Sequence, residues 1–187
     1  MKLPGPDLLG ILYGCSEIAL SIFKRSRGAA RQADDRTLRF LWVTILVSVA
    51  LAVMAAALLP RAHSRWLEFL YPLGLLLFAA GLALRWWSIV HLGRFFTVDV
   101  AIATDHHVVD TGPYRLVRHP SYAGAILAFA GYGICLGNWV SLLAVTLPVA
   151  RAFLLRIEVE ERALSAALGR SYREYVSRTR RLLPFVY

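Results

Sequence analysis

The chain has 187 residues, of which 58% are hydrophobic and only 18% are charged, and its formal net charge is +9. Soluble domains are roughly half apolar and about a quarter charged, so this composition excludes an ordinary soluble protein and predicts an integral membrane protein. The basic residues are mostly arginines that flank apolar stretches, which favours membrane topology and contact with anionic lipid headgroups over nucleic-acid binding.

Long apolar stretches predict an all-α integral membrane protein with about five transmembrane helices, because roughly 20 apolar residues are needed to cross a bilayer core. Glu17 interrupts the first stretch, and we expect this carboxylate to face other helices, where Arg85 is a candidate neighbour. The last two spans form a hairpin if Gly137, Asn138 and Trp139 make the turn. The prediction is a single polytopic domain over 1–187, with spans at about 7–23, 40–59, 67–90, 120–136 and 139–156.

The distribution of charge predicts the orientation of the chain. Arginines are concentrated in the loop between the first two spans, in the segment 91–119 and in the tail after the last span. The positive-inside rule places these regions in the cytoplasm and the N-terminus outside. The abundance of Arg, Ala and Leu is typical of a GC-rich genome, so we interpret the compartment as a bacterial inner membrane.

Three smaller features receive structural interpretations. Cys15 and Cys135 lie in apolar stretches, so neither a disulfide nor a metal site is predicted. The sequence TVDVAI at 97–102 alternates like a short strand. Gly131 and Gly133 form a G-x-G, but no strand precedes them, so we interpret them as close packing between membrane helices rather than a nucleotide-binding turn.

The segment before the fourth span contains the polar sequence TGPYRLVRHPSYAG. Pro120 suits the first turn of the following helix, and the free backbone N–H groups of that turn attract an anion beside Arg118 and His119. The alternative is that these side chains and Arg115 only mark the membrane boundary. We assign Arg115 to that boundary.

A polar helix is predicted to continue from the last span through residues 151–185. At helical spacing Arg156 and Glu160 are four residues apart and can touch. Gly169 is a predicted break, and a broken apolar stripe around it predicts that the helix lies along the membrane or packs over the preceding loop. The alternative is an ordinary solvated helix with ion pairs.

Several short elements occur in a fixed order on both sides of the predicted hairpin. They are an RHPxYxG element at Arg118, His119, Pro120, Tyr122 and Gly124, an acidic pair at Glu160 and Glu161, a GxxYxxY element at Gly169, Tyr172 and Tyr175, and a closing proline at Pro184. In this order, over about residues 92–185, they resemble the isoprenylcysteine carboxyl methyltransferase family and the related phospholipid methyltransferases.

The resemblance implies methyl transfer from S-adenosylmethionine, with residues 91–187 as the catalytic core region. The cytoplasmic loop and the C-terminal helix would form the cofactor pocket. Arg156 matches the family's arginine before the acidic pair, and we expect it to orient an acidic acceptor, which is ionised near pH 7 and needs no base. Glu161 or His119 would act as base for a phenol. The implied cofactor contacts are Arg118, His119, Tyr122, Glu160 and Tyr172.

The sequence leaves the identity of the methyl acceptor open. We expect O-methylation of a carboxylate, enol or phenol on a long-chain or isoprenoid molecule, with membrane lipids as the other partners. The alternatives are a phospholipid N-methyltransferase, an NADPH-dependent membrane reductase of related layout, and a membrane protein without enzymatic activity. The sequence determines neither the acceptor nor the oligomeric state.

Overall fold

The computed structural model describes residues 3–23, 35–96 and 107–184, and the predicted strand at 97–102 lies outside them. The described residues are helical apart from short turns and two isolated backbone bridges. This confirms the all-α fold class. The α-helices are α1 (Pro6–Phe23), α2 (Asp35–Leu58), α3 (Arg65–Phe69), α4 (Tyr71–Leu92), α5 (Pro120–Cys135) and α6 (Trp139–Arg178).

Helices occupy all five predicted spans, with two differences in their bounds. The predicted third span begins at residue 67, but the helix breaks at Leu70, because Pro72 lies in the first turn of α4 and provides no backbone N–H to the turn before it. The fifth predicted span ends at residue 156, whereas α6 continues for 40 residues in all. Its polar second half extends beyond the apolar segment.

In the part of the chain that the structure describes, three helices are long and apolar enough to cross a membrane: Arg36–Leu58, Tyr71–Phe95 and Trp139–Arg178. The helices α1 and α5 have 18 and 16 residues, and at 1.5 Å per residue they extend about 27 and 24 Å. Both are short for a bilayer core of about 30 Å. The protein is an integral membrane protein, and the count of five spans stays a prediction.

The outer surface of the helices is apolar, as lipid contact requires. Large side chains on α2, α4 and α6 are exposed, including Leu46 at 66%, Val90 at 70% and Leu147 at 60%. A soluble protein rarely exposes a continuous apolar surface of this kind. Lipid tails are therefore the environment that this surface fits.

The helices α4 and α5 form the closest contact in the bundle, backbone against backbone. A Cβ atom built on Gly81 would lie 2.5 Å from the carbonyl oxygen of Gly124, and one built on Gly131 would lie 2.5 Å from that of Gly74. No side chain fits in either place. The interpretation of Gly131 as a helix-packing residue is confirmed, and Gly133 packs in the same way against α6.

Asn138 holds the turn between α5 and α6. Its Oδ1 accepts a hydrogen bond of 3.1 Å from the backbone N–H of Ser141, and its Nδ2 donates to the carbonyls of Leu59 at 3.0 Å and Ala55 at 3.3 Å. Gly137 has a φ of 65°, which favours glycine. The predicted hairpin turn is confirmed, and it also fixes the end of α2.

At the opposite end of the bundle an ion pair attaches α1 to α4. Arg85 donates to both carboxylate oxygens of Glu17, from Nε at 2.6 Å and from NH2 at 2.8 Å. Both side chains are less than a tenth exposed, and Trp86 Nε1 donates to Ser16 Oγ nearby at 2.8 Å. The expectation that Glu17 faces other helices is confirmed, and its partner is the candidate neighbour Arg85.

Candidate functional site

The C-terminal part of α6 packs over the polar loop 107–119. At Gly169 the helix has a φ of 56° and changes direction, a conformation that costs glycine least. Beyond this bend Tyr172 and Tyr175 are buried, and the Tyr175 hydroxyl donates a 2.6 Å hydrogen bond to the carbonyl of Tyr114. The sequence predicted that this helix either lies along the membrane or packs over the loop, and in the structure it packs over the loop.

Backbone pairing joins this loop to the residues that follow α6. The N–H of Arg118 donates to the carbonyl of Arg180 at 2.7 Å, and the N–H of His119 donates to that of Arg181 at 3.0 Å. The short parallel bridge between Val117 and Arg180 has the same origin. The two polar regions identified in the sequence therefore form one unit.

Glu161 lies at the centre of a buried ion cluster. Its Oε1 accepts from Arg118 Nε at 2.8 Å and lies 3.2 Å from His119 Nε2, while its Oε2 accepts from Arg181 Nε at 3.0 Å. Burial opposes ionisation, but the hydrogen bonds and charges of His119 and Arg118 outweigh it and lower the pKa of Glu161 to about 2. A carboxylate of such low pKa is a weak proton acceptor, so the geometry favours a structural anchor over the predicted base.

A second nitrogen of Arg118 binds the end of α6. Its NH1 donates to the carbonyl of Thr179 at 2.6 Å and to that of Val176 at 3.4 Å. The side chain thus stabilises the C-terminal end of a helix, where cations are favoured. That Arg118 also binds a cofactor carboxylate stays a prediction.

The Tyr122 hydroxyl joins the arginine and the first glutamate of the predicted site. It donates a 2.6 Å hydrogen bond to Glu160 Oε2 and accepts one of 3.3 Å from Arg156 Nε. The Tyr122 ring stacks on that of His119, with centroids 5.6 Å apart and planes within 2°. Residues from two helices thereby place a cation, an anion and two stacked rings side by side.

Tyr172 contributes a buried hydroxyl from the bent part of α6. The side chain is 3% exposed, and its oxygen has no hydrogen-bond partner among the residues that the structure describes. Burial, followed by the negative charges of Glu161 and Glu160, raises the pKa of this phenol, so it stays protonated. A buried donor without a partner is costly, and a ligand with a polar atom at this position would satisfy it.

A cleft opens beside Tyr122 and Arg156. One wall is apolar and belongs mostly to α2, which the sequence indicated only as a membrane span. The other wall is polar and also includes the Glu17–Arg85 ion pair, which the sequence suggested as a contact but not as part of a site. The lining residues are Glu17, Leu38, Leu41, Trp42, Ile45, Arg85, Phe96, Tyr122, Phe153 and Arg156.

Comparison with known proteins identifies the family of this chain. The family model described as "Isoprenylcysteine carboxyl methyltransferase (ICMT) family" matches residues 73–166. Protein-S-isoprenylcysteine O-methyltransferase B of Arabidopsis thaliana is 30% identical to this chain over 94% of it and 83% of the relative. Protein-S-isoprenylcysteine O-methyltransferase A of the same plant is 33% identical over 94% and 89% of the two chains.

A solved structure agrees with these sequence relatives. The eukaryotic intramembrane Ras methyltransferase ICMT is 28% identical, with a TM-score of 0.63 over 78% of this chain and 52% of the other. This chain thus spans about half of that protein. The named relatives are eukaryotic and lend no support to a bacterial assignment. The match over 73–166 and the plant relatives together show that the chain belongs to the isoprenylcysteine carboxyl methyltransferase family, and it is an integral membrane methyltransferase.

Proposed function

We propose that this chain transfers a methyl group from S-adenosylmethionine to the carboxylate of an isoprenylcysteine or a similar lipid-like acid. The observation that carries the proposal is the cleft, which joins the apolar wall of α2 to the guanidinium of Arg156. A molecule with a long apolar tail and a single anionic head would place its tail against the apolar wall and its head at the guanidinium. The named relatives, which are isoprenylcysteine O-methyltransferases, support the choice of acceptor.

The donor side of the proposal rests on the residues around Tyr122. S-adenosylmethionine would supply an electrophilic methyl group, and it carries an ammonium, a sulfonium and an adenine ring. Glu160 is an anion that suits the ammonium, and the stacked rings of His119 and Tyr122 suit the sulfonium or the adenine. The Tyr172 hydroxyl, which has no partner in the described part of the chain, fits a further polar atom of the same ligand.

On the acceptor side, Arg156 orients the carboxylate and no proton has to be removed. A carboxylic acid is ionised near pH 7, so the protein's task is to position the acceptor and keep water away from it. Arg156 Nε donates a 3.3 Å hydrogen bond to the Tyr122 hydroxyl, and Arg156 is only 2% exposed. A phenolic acceptor would need a base, and Glu161, with its low pKa, is poorly suited to that task.

We also propose that the site faces the cytoplasm and that the N-terminus lies outside. Arginines of the segment 107–119 and of the C-terminal tail lie at the site's end of the bundle, and the positive-inside rule assigns that end to the cytoplasm. Composition alone supports a bacterial inner membrane as the compartment.

The first experiment separates the methyltransferase from the other candidate functions. S-adenosylhomocysteine should raise the melting temperature of the detergent-solubilised protein, whereas NADPH should not. Methyl transfer from labelled S-adenosylmethionine should occur to S-farnesylcysteine carboxylates and not to phosphatidylethanolamine. Stabilisation by NADPH alone would indicate a reductase, and labelling of the phospholipid amine would indicate an N-methyltransferase; either result would overturn the proposal.

A second experiment tests the site itself. Tyr122→Phe removes the hydroxyl that joins Glu160 to Arg156, and hydrogen bonds to charged groups contribute about 1.5–3 kcal/mol. We expect kcat/KM to fall by roughly ten- to a hundredfold. Tyr132→Phe, on the same helix but in the apolar core, is the matched control and should keep full activity. Equal activity of the two variants would contradict the proposed site.

A further inference from the structure

A small surface patch, at the end of the bundle that carries the candidate site, combines exposed arginines with exposed leucines. Arg115 and Leu116 belong to the polar loop, and Arg180 and Leu183 belong to the segment that follows α6. The backbone bridge between Val117 and Arg180 holds the two segments side by side. Leu116 and Leu183 are each 56% exposed, and both arginines are exposed as well. We call Arg115, Leu116, Arg180 and Leu183 the rim patch.

The loop that carries half of the rim patch lies at the depth of lipid rather than in the water beyond it. The Tyr114 hydroxyl donates a 3.3 Å hydrogen bond to the carbonyl of Ser88, near the end of α4. At that level α4 still presents large apolar side chains outward, because Trp87 is 56% and Val90 is 70% exposed. Tryptophan is enriched where the hydrocarbon core meets the headgroups. Leu116, which follows Tyr114 closely in the chain, therefore lies at headgroup depth.

The two arginines of the rim patch keep their positive charge without a carboxylate partner. Asp110, the acidic residue of the loop 107–119, already pairs with Arg178 at 2.6 Å, and the segment 179–184 has no acidic residue. Within the described ranges Arg115 and Arg180 form no ion pair. A guanidinium binds a phosphate through two parallel hydrogen bonds. Both arginines are therefore suited to an anion that comes from outside the chain.

We propose that the rim patch binds the headgroup of an anionic phospholipid. The phosphate meets Arg115 and Arg180, and the upper part of the acyl chains lies against Leu116 and Leu183. Basic residues at headgroup depth attract anionic lipids, and the exposed leucines fit the apolar part of the same molecule. The bound lipid joins the polar loop to the C-terminal segment, whose backbones already pair. This inference does not depend on the proposed methyl transfer, because lipid binding is measured without it.

The test compares two lipids that differ only in their headgroups. Native mass spectrometry of the full chain in an uncharged detergent measures the dissociation constants of dioctanoyl phosphatidylglycerol and dioctanoyl phosphatidylcholine. We expect the anionic lipid to bind more tightly to the wild-type protein. In Arg115→Gln/Arg180→Gln this preference should fall by roughly 25-fold, because each arginine near an anionic headgroup contributes about a factor of five.

Arg162→Gln/Arg170→Gln is the matched control. It removes the same charge from α6, where the two arginines are 80% and 87% exposed and pair with glutamates of the same helix. Its lipid preference should stay within about twofold of the wild type, because charges away from the patch are screened. Equal losses in the two double variants would show an effect of net charge alone and would overturn the proposal. Equal affinities of the two lipids for the wild-type protein would overturn it as well.

Two further outcomes have defined meanings. If inorganic phosphate displaces phosphatidylglycerol at equal concentration, the arginines form a site for free anions, and the lipid assignment is refuted. If Arg115→Gln/Arg180→Gln does not fold, the single variants decide, and each should weaken the binding of phosphatidylglycerol about fivefold. Unchanged binding in both single variants would refute the proposal. A protein that binds the lipid but does not methylate the farnesylcysteine carboxylate would support this inference and overturn only the proposed function.

Discussion

Replacement of Glu161 by glutamine is the sharpest test of the ion cluster that closes the site. The folded protein lowers the pKa of Glu161 from its ordinary value of 4.5 to about 2. Each pKa unit corresponds to about 1.4 kcal/mol, so the ionised carboxylate stabilises the folded state by about 3 kcal/mol. Its side chain is 13% exposed and that of its partner Arg181 is 32% exposed, so solvent screens part of the cluster and about 3 kcal/mol is an upper bound. We therefore expect Glu161→Gln to lose up to about 3 kcal/mol at pH 7.

The pH dependence of this loss has a definite sign. Because the folded-state pKa is below the unfolded one, the stabilisation is complete above pH 4.5 and disappears as the pH falls toward 2. The difference between wild type and Glu161→Gln should be constant above pH 5 and should shrink between pH 4.5 and 2. Urea unfolding in detergent micelles, followed by tryptophan fluorescence, measures it.

Glu158→Gln is the matched control for this experiment. Glu158 is three positions earlier on the same helix, 44% exposed, and lies 3.8 Å from Arg162, which is itself 80% exposed. Exposed pairs of this kind contribute roughly 0–1 kcal/mol. Equal losses in the two variants would refute the reasoning. A Glu161→Gln variant of full stability but no activity would indicate that Glu161 has a direct chemical role.

Two further predictions concern the bundle, and melting of the purified protein in detergent measures both. Gly81→Ala places a Cβ atom 2.5 Å from backbone atoms of α5 and should destabilise the protein by about 1–3 kcal/mol. Gly14→Ala is the control, because a Cβ atom there has no neighbour within 4 Å and should not lower the stability. Equal melting temperatures of the two variants would contradict the close packing. Asn138→Ala removes a helix cap and two bonds to carbonyls at the end of α2, and it should cost about 2 kcal/mol. No loss of stability in this variant would show that the turn does not depend on Asn138.

The roles of the two adjacent glutamates differ because of where α6 points them. Glu160 meets the Tyr122 hydroxyl beside the cleft, whereas Glu161 meets Arg118 and the C-terminal tail. Neighbouring positions on a helix are about 100° apart, so the two side chains cannot face the same partner. The sequence presents them as one acidic pair, and the structure separates a candidate ligand contact from an anchor.

The sequence by itself determined the helices and the order of the polar elements. Apolar length predicted the membrane helices, Pro120 marked a helix start, Asn138 was part of the predicted hairpin turn, and Gly169 marked the bend. These properties depend on neighbouring residues alone. The relation of Glu17 to Arg85 was also predictable, since a carboxylate in an apolar span needs a cation.

Only the tertiary structure decided which side chains share the site. The α2 residues that line the cleft, such as Trp42, look like any other lipid-facing residues in the sequence. The pairing of 117–119 with 180–181, and hence the anchoring of Arg118 and Glu161, joins segments about 60 positions apart. Local patterns carry no information about such contacts, because they arise only when α6 returns over the loop and buries charges that must then find partners.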